Sequence, residues 1–218
     1  MALPGWVALR EAGPWRWVLA AGVGLLVLLA LGFGGWGWHS AVQSRGVEAL
    51  AGASTRAQEA LAPQATATER EAAIRALEEV IARYPSNRLV GQAVYHLGNL
   101  RYQAGSYEAA RNAYTLALAK EAKGSLASLC RVGVGYTWEA QGKYAEALAA
   151  YQEALVSVRA TDFLYEEVLM SIARAQELTG KRDHALDTYR RILRELPQSR
   201  RADDIRARLA SLESPSSR

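Results

Sequence analysis

Three segments of the sequence repeat one pattern. They read GSYEAARNAYTLAL over residues 105–118, GKYAEALAAYQEAL over 142–155 and GKRDHALDTYRRIL over 180–193. The leading glycine recurs after 37 and then 38 residues, and each segment has an alanine and then a tyrosine at the same distances from it. A period of this length indicates stacked supersecondary units.

Each unit is predicted to be two antiparallel helices joined by a turn at the leading glycine, because glycine can adopt the left-handed conformation that ends a helix. Small residues recur seven positions before that glycine and five positions after it. They pair as Gly98 with Ala110, Gly135 with Ala147, and Ala173 with Ala185. We predict that these pairs lie where the two helices cross, since small side chains allow close packing. The tyrosine that follows would fill the space toward the next unit.

On these residues the chain resembles the tetratricopeptide repeat family, whose units are about 34 residues long. The first repeat carries the family pattern on Leu97, Gly98, Gly105, Tyr107, Ala110, Tyr114 and Ala117. The second carries it on Gly135, Trp138, Gly142, Tyr144, Ala147, Tyr151 and Ala154, and the third on Gly180, Ala185, Tyr189 and Pro197. The resemblance implies an all-α fold, an α-solenoid of about three and a half helix-turn-helix repeats.

The resemblance places the repeats at about 91–124, 128–161 and 166–199, inside a domain that covers 67–214. A degenerate half-repeat comes before them, with Ala73, Leu77, Val80 and Pro85 matching its second helix. A capping helix follows at 200–213, and residues 215–218 form a tail. The capping helix carries Arg200, Arg201, Arg206 and Arg208. A solvated face is favoured for these arginines over an acidic partner or a lipid surface.

The N-terminal region has a different composition. Residues 17–38 form a run of 22 residues without a charge, which as a helix is about 33 Å long, enough for a hydrocarbon core of about 30 Å. Tryptophans lie at both ends of the run, at Trp15, Trp17, Trp36 and Trp38, and indole rings favour the headgroup region. We predict a single transmembrane helix at 15–38 after a short flank at 1–14. A cleaved signal peptide is the alternative, although it has a shorter apolar core and a small-residue cleavage site.

Residues 39–66 connect this helix to the repeats and are rich in alanine, glutamine and serine. We predict a helical stalk that breaks near Gly52, because glycine weakens a helix interior. Arg10, Arg16 and the amino terminus come before the span, and arginines also follow it. The balance favours a cytoplasmic N-terminus and a periplasmic repeat domain, in a bacterial inner membrane.

The composition argues against catalytic, cofactor and metal sites. The single cysteine, Cys130, excludes an internal disulfide, a cysteine zinc site and a two-cysteine redox motif. It is predicted to be a small packed residue. The histidines His39, His96 and His184 are widely spaced, and the last two are predicted on the surface or at joints. A net charge of +4 gives no case for nucleic acid binding. We therefore predict no catalytic residue, no cofactor and no metal.

In the tetratricopeptide repeat family the first helix of each unit lines a binding groove. The matching positions here are Gln92, Tyr95, Asn99, Tyr102, Leu129, Val132, Tyr136, Glu139, Met170, Arg174 and Glu177. Aromatic side chains and a methionine among polar groups suit an extended peptide or a partner helix. Packing between repeats is the alternative for the three tyrosines. Asn99 keeps one half of the carboxylate clamp of some family members, and Tyr95 replaces its lysine.

The resemblance implies a non-enzymatic, membrane-tethered scaffold for proteins or peptides at the cell envelope. One N-terminal span followed by such repeats is similar to the ancillary subunit of the bacterial Sec translocon and to the periplasmic cell-division coordinator. The implied partners are membrane-complex subunits or chaperones, and neither nucleic acid nor a small-molecule substrate. The alternative is an envelope-assembly or cell-division factor that binds another repeat or coiled-coil protein through its convex face.

Overall fold

The computed structural model describes residues 14–120 and 122–214. These residues form helices and turns and no strand, which confirms the all-α prediction for them. The helices are α1 (Pro14–Ala60), α2 (Ala67–Arg83), α3 (Val90–Gln103), α4 (Tyr107–Ala119), α5 (Gly124–Ala140), α6 (Tyr144–Val156), α7 (Tyr165–Leu178), α8 (Arg182–Glu195) and α9 (Ala202–Glu213). The chain divides into an N-terminal unit, Met1–Gly46, and a second unit, Val47–Arg218, which we call the repeat domain. The predicted flank, apart from Pro14, and the predicted tail at 215–218 lie outside the described residues.

The described part of the N-terminal unit is an apolar helix. Its large apolar side chains, among them Val23, Leu28 and Phe33, are exposed. Trp36 and Trp38 at the end of the predicted span are exposed as well. By length and composition, α1 contains a helix able to cross a bilayer.

The repeat domain contains three helix-turn-helix pairs, α3 with α4, α5 with α6, and α7 with α8. The turn at Gly142 shows how each pair is made. Gly142 has φ of +72°, its N–H donates to the carbonyl of Glu139 at 2.9 Å, and the N–H of Lys143 donates to the carbonyl of Trp138 at 2.9 Å. Gly105 and Gly180 repeat the conformation and both bonds. The predicted glycine turns therefore end each first helix and reverse the chain.

The small residues of the first helices make room for the tyrosine of the second helix. Tyr114 of α4 lies between two glycines: a Cβ built on Gly98 of α3 would lie 2.6 Å from its ring, and one on Gly133 of α5 would lie 2.8 Å from it. Tyr151 is packed against Gly135 in the same way. Both tyrosines are buried. The ring of Tyr114 thus joins the first helix of its own repeat to that of the next.

The predicted break of the stalk at Gly52 is wrong, because α1 runs unbroken to its end. Leu50, Ala53 and Ala57 are buried in the same core as α2 and α3, and their spacing places them on one face of the helix. Burial of a leucine contributes about 1.5–3 kcal/mol, which exceeds the cost of about 1 kcal/mol for a glycine in a helix. Residues 47–60 therefore form the first helix of the degenerate unit whose second helix is α2, and belong to the repeat core.

The end of the third repeat is covered by α9. Its Ala202, Ile205 and Leu209 are buried, and the last two join the core of the second and third repeats. The guanidinium of Arg190 on α8 donates to Glu213 at 2.7 Å. This helix is the cap that the sequence predicts over 200–213.

Gly135→Ala is expected to destabilise the repeat domain, because the added methyl would overlap the buried ring of Tyr151. Overpacking of this kind costs about 1–3 kcal/mol. Gly52→Ala is the matched control, since nothing lies within 4 Å of its added Cβ, and it should stabilise by roughly 0.5–1 kcal/mol. Unfolding of the full chain in detergent, followed by circular dichroism, measures both. Equal effects of the two substitutions would contradict the packing described above.

Candidate functional site

The candidate residues predicted from the sequence lie on α3, α5 and α7. Eight are half-buried: Tyr95, Asn99, Tyr102, Tyr136, Glu139, Met170, Arg174 and Glu177. Gln92 is exposed, and Leu129 is half-buried against the core. Val132 is only 3% exposed and lies within the core. Its prediction as a partner-binding residue is wrong, because a side chain enclosed by neighbouring helices cannot reach a partner. We call the side formed by Gln92 and the eight half-buried residues the first-helix surface.

Tyrosine rings dominate the α3 part of this surface. The ring centroid of Tyr95 lies 6.0 Å from that of Tyr114, and Tyr102 lies 5.4 Å from Tyr107. The hydroxyl of Tyr114 donates to Oδ1 of Asn99 at 2.8 Å. The side chain of Asn99 therefore supports the buried tyrosine, and the half-buried rings of Tyr95 and Tyr102 form the wall.

A network of three side chains joins the second repeat to the third. Glu139 on α5 accepts hydrogen bonds from Nε of Arg174 at 2.7 Å and from its Nη2 at 3.0 Å. It also accepts one from the hydroxyl of Tyr151 at 2.7 Å. Burial by itself would raise the pKa of Glu139, but the hydrogen bonds from Arg174 and Tyr151 outweigh it and hold the pKa below its ordinary value. A bidentate pair of this geometry fixes α7 against α5.

The same network recurs where α9 packs on the third repeat. Glu177 accepts hydrogen bonds from Nε of Arg208 at 3.0 Å, from its Nη2, and from the hydroxyl of Tyr189 at 2.7 Å. The side chain of Arg208 thus docks on α7, so its prediction as part of a solvated basic face is wrong. The attraction of a half-enclosed carboxylate holds this arginine against the domain.

Tyr136 extends the surface toward the start of α7. Its hydroxyl donates to Oε1 of Glu167 at 3.0 Å, and Nη1 of Arg201 donates to the other carboxylate oxygen at 2.8 Å. Burial, followed by the negative charge of Glu167, raises the pKa of Tyr136. Glu167 and the two glutamates of the networks are therefore all paired within the repeat domain. The rings of Tyr95 and Tyr102 and the thioether of Met170 remain as the partly exposed apolar groups.

The sequence prediction omits the partners in these networks, which are Tyr114, Tyr151, Tyr189, Glu167, Arg201 and Arg208. Part of the signal is present in the sequence. The tyrosines Tyr151 and Tyr189 are 38 residues apart, and so are the two glutamates that accept their hydrogen bonds. The arginines Arg174 and Arg208 are 34 residues apart, so they leave the common period and no repeat alignment pairs them with those glutamates.

The residues with metal-binding or nucleophilic side chains lie away from the surface or in the core. Cys130 is fully buried, as predicted, and burial raises the pKa of its thiol to about 12. His96 is only 7% exposed and its ring lies 5.6 Å from that of Tyr95, so its prediction as a surface or joint residue is wrong. Neither of its ring nitrogens has a hydrogen-bond partner among the described residues, and burial lowers its pKa. Within residues 14–120 and 122–214, no three His, Cys, Asp or Glu side chains form a group that could hold a metal ion.

The comparisons with known proteins agree with this architecture. A family model described as a tetratricopeptide repeat-like domain matches residues 15–214. The crystal structure of MamA protein is similar with a TM-score of 0.51 and 20% identity, over 62% of this chain and 67% of that one. YrrB, described as a TPR protein with an unusual peptide-binding site, is similar with a TM-score of 0.52 and 16% identity, over 66% of this chain and 68% of that one. No curated protein matches the chain.

Acidification is expected to weaken the junction that Glu139 makes. Because the folded-state pKa of Glu139 is lowered, its contribution is present above the unfolded-state pKa and is lost as the pH falls through the folded-state pKa. Glu139→Gln should cost roughly 1–2 kcal/mol at neutral pH, a value reduced by solvent because Arg174 is 43% exposed. The variant should also lose less stability than the natural chain between about pH 5 and pH 3.

Urea unfolding at a series of pH values measures this difference. Glu146→Gln is the matched control, since Glu146 is exposed on α6 and its side chain pairs with no residue in the described ranges. Equal pH slopes in the two variants would contradict the role given to Glu139.

Proposed function

Because the chain belongs to the family of tetratricopeptide repeat-like domains, we propose that it is a membrane-tethered scaffold whose first-helix surface binds a protein partner. The observation that carries this proposal is the row of half-buried rings Tyr95, Tyr102 and Tyr136, continued by Met170, across three first helices. Aromatic rings and thioethers supply apolar contact area with little loss of conformational freedom. The peptide-binding site of YrrB supports this use of the fold. The function needs no catalytic residue and no cofactor.

The partner chemistry follows from what the surface leaves available. Glu139, Arg174 and Glu177 are engaged within the domain, so they offer few free charges to a ligand. An extended peptide or a partner helix with apolar side chains suits the rings, and Gln92 provides an exposed amide at one end of α3. A strongly charged ligand would have to compete with the internal ion pairs.

The anchor we propose is the apolar part of α1, residues 15–38. It is supported by the 22 uncharged residues and by the exposure of their large apolar side chains. We further propose a cytoplasmic N-terminus and a periplasmic repeat domain in the inner membrane. A tether raises the local concentration of the domain, so modest affinities suffice. This arrangement suits an accessory of protein translocation or of periplasmic chaperoning.

Photo-crosslinking tests the binding surface. A benzoylphenylalanine at Gln92 or Tyr95, in the full chain in native membranes, should form adducts with a partner protein. The same residue at Asn112 of α4 or Gln152 of α6 should not, although both positions are exposed. Adducts from Asn112 and Gln152 alone would contradict the proposal and favour binding through the convex, second-helix side.

Extraction from vesicles tests the anchor. The full chain should stay with vesicles after alkaline carbonate washing, whereas Val27→Arg with Leu28→Arg should be released. Each arginine at the centre of a span costs about 2.5–3.5 kcal/mol. Ala51→Arg with Thr55→Arg adds the same charge outside the span, at exposed positions, and should remain bound. Release of the natural chain would refute the anchor.

A further inference from the structure

We propose that one end of the repeat domain docks on the surface of an anionic lipid bilayer. This end consists of the segments that lead from each second helix into the next first helix, and we call it the joint edge. Its four joints are residues 83–89, 119–124, 156–164 and 194–201. The inference rests on the membrane anchor proposed above and adds a second lipid contact outside the span.

The four joints lie side by side. Successive helices pack in antiparallel pairs, so every second-to-first joint is at the same end of the domain. Nζ of Lys120 donates to the carbonyl of Pro85 at 3.3 Å, which links the first two joints. Gly124 and Phe163 line one cleft between the second and third joints, and Phe163 and Arg201 line another between the third and fourth. The edge is therefore one continuous surface.

Basic residues are concentrated on this edge. Its cations are Arg83, Arg88, Lys120, Lys123, Arg159, Arg194, Arg200 and Arg201, and its acids are Glu121, Asp162 and Glu195. The turns at the opposite end of the domain carry the cations Lys143, Lys181 and Arg182 and the acids Glu108, Glu146 and Asp183. The joint edge thus has a net charge of +5 and the opposite turns have none, although the whole chain is only +4. A charge separated in this way between two ends points to an anionic partner at one of them.

Two apolar side chains project from the middle of the edge. Phe163 is 72% exposed and Val156 is 90% exposed, and both belong to the joint between α6 and α7. The side chains of Arg88, Arg194 and Arg200 make no hydrogen bond or ion pair within the part of the chain that the structure describes. Apolar groups that enter the headgroup region, surrounded by cations that meet lipid phosphates, are the features of surface-bound membrane proteins.

The candidate span of the same chain makes a lipid surface the fitting anionic partner. The chain enters the repeat domain at Val47, and the helix order places this start at the same end as the starts of α3, α5, α7 and α9. A domain tethered in this way meets the bilayer at high local concentration. Each basic residue near an anionic leaflet then favours the docked state by about fivefold.

Quenching in nanodiscs tests the docking with the full chain. A fluorophore is attached at Thr161→Cys on the joint edge or at Ser106→Cys on an opposite turn, both at exposed positions. Cys130 is fully buried and stays unlabelled. Headgroup nitroxide lipids should quench the Thr161 probe when the nanodisc contains phosphatidylglycerol, and much less with phosphatidylcholine alone or at high salt. The Ser106 probe should stay bright in every bilayer.

Two charge-matched double variants sharpen the test. Arg88→Gln with Arg200→Gln should shift the docked-to-undocked ratio by about 25-fold, while Lys143→Gln with Lys181→Gln should leave it unchanged. Phe163→Ser should also reduce quenching, with circular dichroism as the folding control. Equal quenching of both probes, quenching independent of lipid charge, or equal effects of the two double variants would overturn the docking alone. A chain that fails to enter nanodiscs overturns the anchor and the docking with it.

Discussion

The contact between a tyrosine ring and the glycines that leave room for it holds the repeat domain together. Tyr114 fills the gap between Gly98 and Gly133, and Tyr151 fills the gap at Gly135. No other residue type at these first-helix positions would let the helices approach so closely around a ring. Burying a tyrosine also encloses its hydroxyl, which is costly unless an acceptor lies within reach. The packing of the core therefore dictates a polar group on each first helix.

That requirement shapes the surface on which we place partner binding. The acceptor is an amide at Asn99 and a carboxylate at Glu139 and Glu177. A half-enclosed carboxylate needs a cation, and an arginine from the next helix supplies it each time. Consecutive repeats are tied together as a result, and the charges of the surface are mostly satisfied within the domain. The half-buried rings remain to meet a partner.

The first-helix surface and the joint edge differ in chemistry and in place. The first presents rings and internally paired charges along the helices, and the second presents unpaired arginines around Phe163 at the helix ends. Occupation of one does not require the residues of the other. A scaffold docked on lipid through its joint edge would keep its first-helix surface available to a partner.

The sequence by itself determined the helix pairs, the glycine turns, the tyrosine phase and the apolar leading helix, because each depends on short-range periodicity or on one backbone conformation. Only the tertiary structure decided which helical faces a neighbour covers. It buried Val132 and His96, added residues 47–60 to the core despite Gly52, and moved Arg208 onto Glu177. Periodicity states which residues share a face of a helix. Whether that face meets solvent, a core or a counter-charge depends on helices far apart in the sequence, and only their packing shows it.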